Sequence, residues 1–585
     1  MNDSIAAYVK ELDRLYQTGA TTEHSFRPAL QRMLEDTTHL IVVNEQTRIA
    51  CGAPDLTLFA PSNLVVAYVE AKDLLDTDLD GKKKNKAQFD RYKNALSILV
   101  FTDYLSFHLY EDGVLLDVVT IASIEKGHIV LNEGQIHRFL SFLEKLRSAC
   151  PQKIESAAKL AKLMAGKARL LADAIALRLK NDTDRSGDLW NTLEAFKEVL
   201  ISDLDEKHFA DLYAQTIAYG LFAARIHDKT PESFSRIEAA ERIPKTNPFL
   251  RQFFQQIAGF DIEESIQWIV NDLVVIFANT DVQKLQKSMG EERLRRDPLI
   301  HFYEDFLRYY DPVIKKQSGV YYTPQPIVEF IVRAVDDILK TDFLLPNGLA
   351  TTEKTDELRH RVQVLDPATG TGTFLAEVVH CIKKKQQKGA WSAYVDEHLI
   401  PRLYGFELMM APYTIAHLKL DMLIHWWGEE VLPTEHKNRL QIYLTNALDL
   451  SDSLHKKLFA GMIAKEANEA NTIKHNTPMM VVMGNPPYSG ESKNKSAWIL
   501  KLMEDYKKEP GGIYPLKEHN PKWINDDYCK FIRLGQYYVE RNKEGVLAYI
   551  CNNGFLQIFE REICREQSSN YRPICHQGAF RSNDR

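Results

Sequence analysis

A rigid polar loop is the most informative chemical feature of the sequence. Asn485, Pro486, Pro487 and Tyr488 follow the apolar run Val481–Gly484, which is typical of a buried strand. Consecutive prolines remove two backbone donors and fix two φ angles, so the loop is stiff. The side-chain carbonyl of Asn485 and the backbone carbonyl of Pro486 can each accept a hydrogen bond from an NH₂ group, and Tyr488 can stack on a planar base.

This arrangement suits chemistry on the exocyclic amine of a nucleobase. Such an amine is a poor nucleophile because its lone pair is delocalised into the ring. Two acceptors that hold its hydrogens favour a more tetrahedral nitrogen and free the lone pair for attack. The base must leave the double helix to reach such a loop, and aromatic stacking offsets the stacking it loses. Alignment and preorganised acceptors then lower the barrier without a metal or a strong base.

A glycine-rich loop lies upstream, in the segment Leu365–Phe374, between an apolar run and a helical pattern. Gly370 and Gly372 allow a tight turn and a close approach of the backbone to a ligand. Position 375 is Leu, so the dinucleotide spacing of glycines fails, and no Gly-Lys-Ser/Thr follows to bind a triphosphate. Glu407 ends the next apolar run, where it can accept hydrogen bonds from ribose hydroxyls. The alternative for Glu407 is a solvated surface residue.

A second group of charged residues lies near the N-terminus. Asp55 precedes the strand pattern Leu56–Phe59, and Glu70 and Lys72 end the pattern that follows it. If a hairpin turns at Ser62-Asn63, residue i lies opposite residue 125 minus i, so Asp55 faces Glu70, and Lys72 shares the face of Glu70.

Such a cluster predicts metal-assisted phosphodiester hydrolysis. Asp55 and Glu70 would hold Mg²⁺, Glu23 on an early helix would add a ligand, and Lys72 would position water. Gln88 and Tyr92 share a helix face nearby. The run Lys82–Lys84 with Lys86 can meet phosphates, although such runs are commonly solvated loops. The alternative is an inactive scaffold or a salt-bridged hairpin end.

Bulk composition is that of an ordinary globular protein. The chain has 585 residues, 45% apolar residues and a net charge of −7, so any basic surface for nucleic acid is local. The seven cysteines form no CxxC pair, which favours reduced thiols over zinc or disulfides. A signal peptide and a membrane span are absent from the sequence pattern, so we expect a cytoplasmic protein.

The distribution of strand and helix patterns along the sequence predicts four regions. Residues 1–150 mix strands and helices, and residues 151–315 read as a helical connector with apolar stripes such as Ile266, Ile269, Val270 and Leu273. Residues 316–563 alternate strand and helix signals, as in a doubly wound α/β domain. Residues 564–585 are an irregular tail or the result of a truncated or frame-shifted chain.

The C-terminal motifs resemble the amino-methyltransferases that act on DNA adenine. The resemblance covers roughly residues 316–560 and implies a Rossmann-like domain, S-adenosylmethionine as the methyl donor and adenine N6 in double-stranded DNA as the target. The segment Gly319–Pro324 resembles the one that precedes the fold in that family. Asn446 stands where many relatives have Asp, near the adenine of the donor. The implied donor site comprises Thr323, Asp366, Ala368, Gly370, Gly372, Phe374, Glu407 and Asn446.

The N-terminal motifs resemble the restriction-endonuclease-like fold of fused restriction–modification enzymes. Together the two resemblances imply a single chain similar to type IIG enzymes and, in both end domains, to type ISP enzymes. Type ISP enzymes carry a helicase motor, but the triphosphate loop of such a motor is missing from this sequence, so we expect no use of ATP.

Three alternatives remain open from the sequence. The nuclease-like domain can be inactive beside a working methyltransferase. The same tetrapeptide chemistry serves methyltransferases that act on glutamine in proteins or on RNA. Relatives continue into a target-recognition domain, so the chain can also be a non-catalytic fragment that binds donor or partner only.

Overall fold

The computed structural model describes most of the chain between residues 2 and 551. The described ranges are 2–19, 23–44, 54–61, 65–148, 154–201, 203–226, 228, 234–243, 246–258, 264–282, 284–285, 298–310, 323–355, 359–427, 430–431, 436, 438–450, 458–488, 492, 494–508, 514–515 and 524–551. The predicted turn at Ser62-Asn63, most of Gly319–Pro324 and the tail 564–585 lie outside these ranges.

A six-stranded sheet forms the N-terminal region, with its strands in chain order. The strands are β1 Ile41–Asn44, β2 Leu56–Phe59, β3 Val65–Ala71, β4 Ile98–Thr102, β5 Ser106–Glu111 and β6 Val114–Thr120, and a separate hairpin joins β7 Ala122–Glu125 to β8 His128–Leu131. The helices are α1 Asn2–Tyr16, α2 Arg27–Thr38, α3 Lys86–Ala95 and α4 Ile136–Ser148. Strands β3 and β4 are parallel and are joined by α3, whereas the other neighbours are antiparallel.

The predicted register of the first hairpin is confirmed. Leu56 pairs with Val69 and Leu58 pairs with Ala67, as the rule of 125 minus i requires, and the register shifts only at the Leu58/Phe59 step. Side chains on both faces of β3 are buried, as expected of a strand inside the sheet. Asp55 therefore lies at the same end of the hairpin as Glu70.

Helices dominate the described part of the middle region between residues 157 and 310, where Thr280 also forms a β-bridge with Ile154. They are α5 Ala157–Asn181, α6 Asp188–Val199, α7 Glu206–Ile226, α8 Arg236–Arg242, α9 Pro248–Ala258, α10 Glu264–Ala278 and α11 Pro298–Tyr310. The apolar stripe Ile266, Ile269, Val270 and Leu273 is fully buried, as its helical spacing predicts.

Polar contacts tie these helices to the regions on both sides. Lys167 Nζ lies 2.8 Å from Asp272 Oδ2 and donates to the Tyr68 hydroxyl of the N-terminal sheet at 3.1 Å. The Thr246 hydroxyl donates to Asp421 Oδ1 at 2.6 Å. All five side chains are buried, and their contacts join residues far apart in sequence, so they fix the packing of one region on the next.

A five-stranded parallel sheet organises the C-terminal region. Its strands lie in the order β13-β10-β9-β14-β15, with bounds β9 Val364–Asp366, β10 Leu403–Glu407, β13 Gln441–Leu444, β14 Val481–Gly484 and β15 Val546–Tyr549. The helices are α12 Gln325–Thr341, α13 Thr373–Lys383, α14 Lys388–Tyr394, α15 Met410–His425, α16 Leu458–Asn476, α17 Ala497–Met503 and α18 Asp527–Asn542, and a small hairpin joins β11 Trp426–Trp427 to β12 Glu430–Val431.

The mixed α/β class is confirmed, and the apolar runs noted before the glycine-rich loop, at Glu407 and at Val481–Gly484 are strands of this sheet. In chain order the strands read 3-2-1-4-5, the order of a doubly wound sheet, with the switch in direction between β9 and β14. Within the described ranges, the helices are too short or too polar to cross a lipid bilayer.

Candidate functional site

Strands β9 and β14 bring the two predicted loops together. The strands are parallel neighbours, with Val364 opposite Val481 and Leu365 opposite Val482. The glycine-rich loop leaves the carboxyl end of β9, and the Asn-Pro-Pro-Tyr loop leaves the carboxyl end of β14. In open parallel sheets, ligands bind in the crevice at this edge where the strand order reverses. The two loops therefore lie side by side at the position where such a sheet takes its ligand.

The glycine loop turns through left-handed backbone conformations. Gly370 has φ +54° and Gly372 has φ +78°, a region that other residues rarely adopt. A Cβ on Gly372 would lie 3.1 Å from the Cβ of Ala416 and 3.2 Å from its Cα, so this turn packs directly on helix α15. The turn then starts helix α13, in which Phe374 is buried.

Glu407 ends β10 and holds the glycine loop. Its Oε2 accepts a hydrogen bond from the backbone N–H of Gly370 at 2.7 Å, and its Oε1 accepts one from the N–H of Met409 at 2.8 Å. Burial raises the pKa of the Glu407 carboxyl, while these two hydrogen bonds oppose the rise. The carboxylate is thus oriented by the loop that it supports, and its lone pairs still allow further hydrogen bonds.

Asp366 is the last residue of β9 and is only 1% exposed. Its Oδ1 accepts a hydrogen bond from the backbone N–H of Ala368 at 3.1 Å. Burial raises the pKa of the Asp366 carboxyl to about 8, and the nearby charge of Glu407 adds to the rise. Two carboxyl groups with raised pKa values therefore flank the glycine loop, an environment that favours a cationic partner.

Asn485 is held at both ends of its amide. Its Nδ2 donates to Thr323 Oγ1 at 3.1 Å, and its Oδ1 lies 2.9 Å from the Tyr488 hydroxyl. The same hydroxyl lies 3.0 Å from the carbonyl oxygen of Ile550, just beyond β15. Burial raises the pKa of Tyr488 to about 12, so the hydroxyl keeps its hydrogen at neutral pH.

Asn446 lies beyond the end of β13 and connects two loops. Its Oδ1 accepts a hydrogen bond from the N–H of Leu448, and its Nδ2 donates to Asn494 Oδ1 at 3.0 Å. Asn494 Nδ2 in turn donates to Asp527 Oδ1 at 3.0 Å. The loop after β13 is thus linked to the segment that follows the Asn-Pro-Pro-Tyr loop and to the start of helix α18.

Lys474 supports the loop after β13 through hydrogen bonds from its side chain. Its ammonium donates to Thr445 Oγ1 and to the carbonyl oxygens of Asn446 and Asp449, each at 2.8 Å. Burial lowers the pKa of Lys474 to about 7. The charge is compensated by several acceptors, as a buried lysine requires.

The N-terminal carboxylates have different partners. Asp55 Oδ2 accepts the N–H of Ala71 at 2.7 Å, and Asp55 Oδ1 lies 2.5 Å from Nη2 of the buried Arg27. Glu70 Oε1 lies 2.7 Å from Lys72 Nζ and accepts from Gln88 Nε2 at 2.7 Å.

Lys72, Glu70 and Gln88 form a closed polar triangle. Lys72 Nζ also donates to Gln88 Oε1 at 2.8 Å, and Gln88 Nε2 lies 3.5 Å from the Tyr92 hydroxyl on the next turn of helix α3. The predicted sharing of one helix face by Gln88 and Tyr92 therefore brings both residues to the end of the hairpin.

Glu23 departs from the sequence expectation. It lies on a one-turn 3₁₀ helix, Glu23–Ser25, instead of on an α-helix, and its side chain is outside the described part of the chain. Across the residues that the structure does describe, no three His, Cys, Asp or Glu side chains are grouped to hold a metal ion. Two of the three predicted carboxylates, Asp55 and Glu70, are placed at one end of the hairpin.

Comparison with known protein families matches the C-terminal half of the chain. Residues 294–563 fit the family model described as N-6 DNA Methylase. The chain carries an N6 DNA methylase domain. The matched segment contains both loops of the crevice, and it starts ahead of residue 316 and includes helix Pro298–Tyr310.

Similar individual proteins include a restriction enzyme subunit and complexes with DNA. The chain is 26% identical over 150 residues to the type I restriction enzyme HindI methylase subunit of Haemophilus influenzae, a stretch that covers 26% of this chain and 28% of that protein. It is similar to the DrdV–DNA complex (TM-score 0.49, 23% identity, 94% of this chain and 50% of that chain). It is also similar to a nuclease-deletion mutant of the type ISP restriction–modification enzyme LlaGI in complex with a DNA substrate mimic (TM-score 0.46, 20% identity, 71% and 31%). The chain thus spans half or less of the length of these proteins.

Several supporting residues of the methylase domain and the N-terminal region escaped the sequence analysis. They are Arg27, which pairs with Asp55, and Lys474, Asn494 and Asp527 around Asn446. Arg27 lies at the start of a helix, next to Pro28, where a charged residue is common. Its residue type therefore did not indicate the contact with Asp55. The pattern Asp526-Asp527 at a helix start is typical of an N-cap, which explains Asp526 but not the contact of Asp527 with Asn494.

Gly484→Ala tests the close packing under the crevice. A Cβ at this position would lie 2.6 Å from Asp366 Oδ1, which is buried and hydrogen-bonded, so neighbouring strands must shift. We expect a loss of about 1–3 kcal/mol in unfolding free energy, measured by chemical denaturation. Gly461→Ala, in helix α16 with no atom within 4 Å of the added Cβ, is the matched control and should be neutral or slightly stabilising. Equal effects of the two changes would contradict this packing.

Proposed function

We propose that this protein transfers a methyl group from S-adenosylmethionine to N6 of adenine in double-stranded DNA. The proposal rests on one observation: the acceptor loop after β14 lies beside the glycine loop after β9 at the edge of the sheet where ligands bind. The N6 DNA methylase domain supports the same chemistry. Restriction–modification is the proposed biological setting, because a similar protein is the methylase subunit of a type I restriction enzyme.

The residues around the glycine loop fit the proposed donor. S-adenosylmethionine carries a sulfonium and an ammonium, and buried carboxyl groups with raised pKa values, such as Asp366 and Glu407, suit such a cation. We propose that Glu407 also accepts from the ribose hydroxyls, that the turn at Ala368, Gly370 and Gly372 lies against the donor, and that Asn446 lies near its adenine. Thr323 and Phe374 complete the proposed site. The donor, when bound, supplies the electrophilic methyl group.

The acceptor loop then acts on the target amine. We propose that one amine hydrogen is accepted by Asn485 Oδ1 and the other by the backbone carbonyl of Pro486, on a loop that Pro487 keeps stiff. The Tyr488 hydroxyl has a single hydrogen and lies 2.9 Å from Asn485 Oδ1 and 3.0 Å from the Ile550 carbonyl. When the amine takes over Oδ1, the hydroxyl hydrogen can turn to Ile550 without losing a partner. The ring of Tyr488 remains available for stacking on the base.

The direct test of this function is methyl transfer in vitro with a labelled donor. Double-stranded genomic DNA that lacks adenine methylation should accept label at N6, in the absence of ATP, whereas a protein fraction and RNA should not. Hydrolysis of the labelled DNA followed by chromatography identifies the modified base. Label on protein glutamine or on RNA would replace this proposal with one of the other amine methyltransferase activities, and donor binding without any transfer would support a non-catalytic role.

Donor affinity is expected to depend on pH through Asp366. In the free protein, the raised pKa of about 8 keeps this carboxyl protonated at lower pH. A cationic donor favours the ionised form and lowers this pKa, so binding releases a proton. Affinity should therefore increase as pH rises from 6 towards 8, by up to about tenfold per pH unit. Titration calorimetry at several pH values measures this slope.

Asp366→Asn is the control for that pH dependence. The amide keeps the size of the side chain and can still accept from the N–H of Ala368, but it does not ionise. The variant should bind the donor more weakly at pH 8, with a flatter dependence on pH. A slope that is the same in both proteins would assign the released proton to another group.

A second activity, Mg²⁺-dependent cleavage of DNA, is proposed for the N-terminal region. The contact of Glu70 with Lys72 and Gln88 carries this proposal, because it gathers a carboxylate, a cation and an amide at one end of a hairpin. Oxygen atoms are the ligands that Mg²⁺ prefers, and each carboxylate oxygen has two lone pairs, so Asp55 can hold a metal while it contacts Arg27. Asp55 and Glu70, with Glu23 as a third ligand, would hold the ion, which supplies charge neutralisation at the phosphate. Lys72 would orient the attacking water.

We propose the order nuclease-like region, helical connector and methylase domain for the whole chain, similar to type IIG enzymes. The helical connector contacts both neighbours through buried polar groups, such as Lys167 with Tyr68 and Thr246 with Asp421. Such contacts support a fixed arrangement in which one DNA duplex meets both regions. DNA is the proposed partner of both sites.

A further inference from the structure

Thr323 contacts the side chain of Asn485, the proposed acceptor for the target amine, and this contact suggests a role for Thr323 beyond donor binding. Its hydroxyl oxygen accepts a hydrogen bond from Asn485 Nδ2 at 3.1 Å across 162 residues of sequence. The amide of Asn485 then presents its oxygen on the other side, towards the Tyr488 hydroxyl. Only the oxygen end of an asparagine amide can accept from an amine, so its orientation decides whether the loop is competent.

The position of Thr323 is itself fixed from the donor side of the crevice. Thr323 and Pro324 immediately precede helix α12, in which Gln325 Nε2 donates to Glu377 Oε2 at 2.9 Å. Glu377 lies on helix α13, which begins at the glycine loop. A chain of contacts thus runs from the glycine loop through Gln325 and Thr323 to the acceptor amide.

We propose that Thr323 is a positioning residue that orients the Asn485 amide for the target amine. This inference rests on the proposed function, since it assigns how that site prepares its acceptor. Without the threonine hydroxyl, Nδ2 of Asn485 loses its acceptor. The amide orientation that presents Oδ1 to the target amine is then no longer lower in free energy than the orientation rotated by about 180°. The effect falls on the transfer step, because the hydrogen bond between Thr323 and Asn485 forms within the protein itself and sets the acceptor that the target amine meets.

A donor-binding role for Thr323 predicts a different pattern. If the hydroxyl served the methionine end of the donor alone, its removal would weaken donor binding and leave transfer at saturating donor unchanged. If it positions Asn485, its removal lowers kcat even when the donor is saturating. The division of the effect between kcat and KM therefore separates the two roles.

The experiment compares Thr323→Val with Thr323→Ser in the full chain. Valine keeps the shape and removes the hydroxyl, whereas serine restores the hydroxyl. We expect Thr323→Val to lower kcat for methyl transfer about 10–100-fold at saturating donor, and Thr323→Ser to recover most of the rate. A tenfold weaker donor Kd with unchanged kcat at saturation would overturn the proposal.

A second measurement tests the hydrogen bond between Thr323 and Asn485 without any enzymatic turnover. Thermal unfolding of Thr323→Val, Asn485→Ala and the double variant forms a double-mutant cycle. We expect the drop in Tm of the double variant to be clearly smaller than the sum of the single drops, because each single change already removes the same hydrogen bond. Additive drops would overturn the positioning role. If the wild-type protein labels no DNA, the proposed function fails, while this cycle still decides whether Thr323 holds Asn485.

Discussion

Asn485→Ala is expected to abolish methyl transfer to DNA while leaving donor binding nearly intact. The side-chain carbonyl of Asn485 is one of two proposed acceptors for the target amine, and it acts where charge develops as the nitrogen attacks. Removal of one preorganised hydrogen-bonding group of this kind costs on the order of 10²–10³-fold in kcat. In the proposed donor site, the glycine loop and Glu407 make no described hydrogen bond to Asn485, and Thr323 contacts it through its hydroxyl alone. Label incorporation and titration calorimetry with the donor measure the two effects separately.

The control for this change is a different asparagine of the same domain. Asn438 lies on the surface, and its Nδ2 makes one long contact of 3.4 Å with the Asp396 carbonyl. Asn438→Ala should leave both methyl transfer and donor binding at the wild-type level. If Asn485→Ala weakened donor binding as much as transfer, its effect would be on the whole crevice, and the acceptor role assigned to Asn485 would be wrong.

The backbone of the crevice could be predicted from local sequence patterns. The runs ending at Asp366, Glu407 and Gly484 are apolar and bounded by turn residues, so they read as buried parallel strands. Loops at the carboxyl ends of neighbouring parallel strands meet at one edge, which brings the glycine turn and the proline loop together. The hairpin register at Leu56 and Val69 followed in the same way from its period of two and the position of its turn.

Side-chain partners across the fold could not be predicted in this way. The contact of Arg27 with Asp55 and that of Thr323 with Asn485 join residues that only tertiary packing brings together. No spacing or periodicity in one sequence encodes such pairs, because each partner has an ordinary local role. The raised pKa of Asp366 likewise depends on its burial in the folded sheet, next to Glu407.

Strand signals were also too weak in part of the N-terminal region. Strand β6, Val114–Thr120, exposes most of its side chains, including Val114, Leu115 and Leu116. The apolar residues of this strand therefore do not mark a buried face. Strands β7 and β8 have four residues each, which is too short for a clear period. These elements became visible only through their pairing with neighbouring strands.

Glu70→Gln is expected to abolish Mg²⁺-dependent cleavage of DNA and to spare methyl transfer. Glutamine keeps the size of the side chain and can still accept from Gln88, but it removes the negative charge that would hold the metal and that pairs with Lys72 at 2.7 Å. Loss of a metal-binding carboxylate should lower the cleavage rate by on the order of 100-fold or more. Cleavage of plasmid DNA with and without Mg²⁺ measures the first effect, and label incorporation measures the second.

The control for Glu70 is Glu133, an exposed carboxylate of the same region in the turn before helix α4. Glu133→Gln changes the net charge by the same amount but leaves the hairpin end untouched, so cleavage should persist. Cleavage that survives Glu70→Gln would rule out the proposed metal site, and Glu70 would then be one corner of a structural triangle with Lys72 and Gln88. Loss of both methyl transfer and cleavage would instead show that Glu70 helps to pack the N-terminal sheet on the helical connector. Tyr68, on the same strand as Glu70, already contacts Lys167 of that connector.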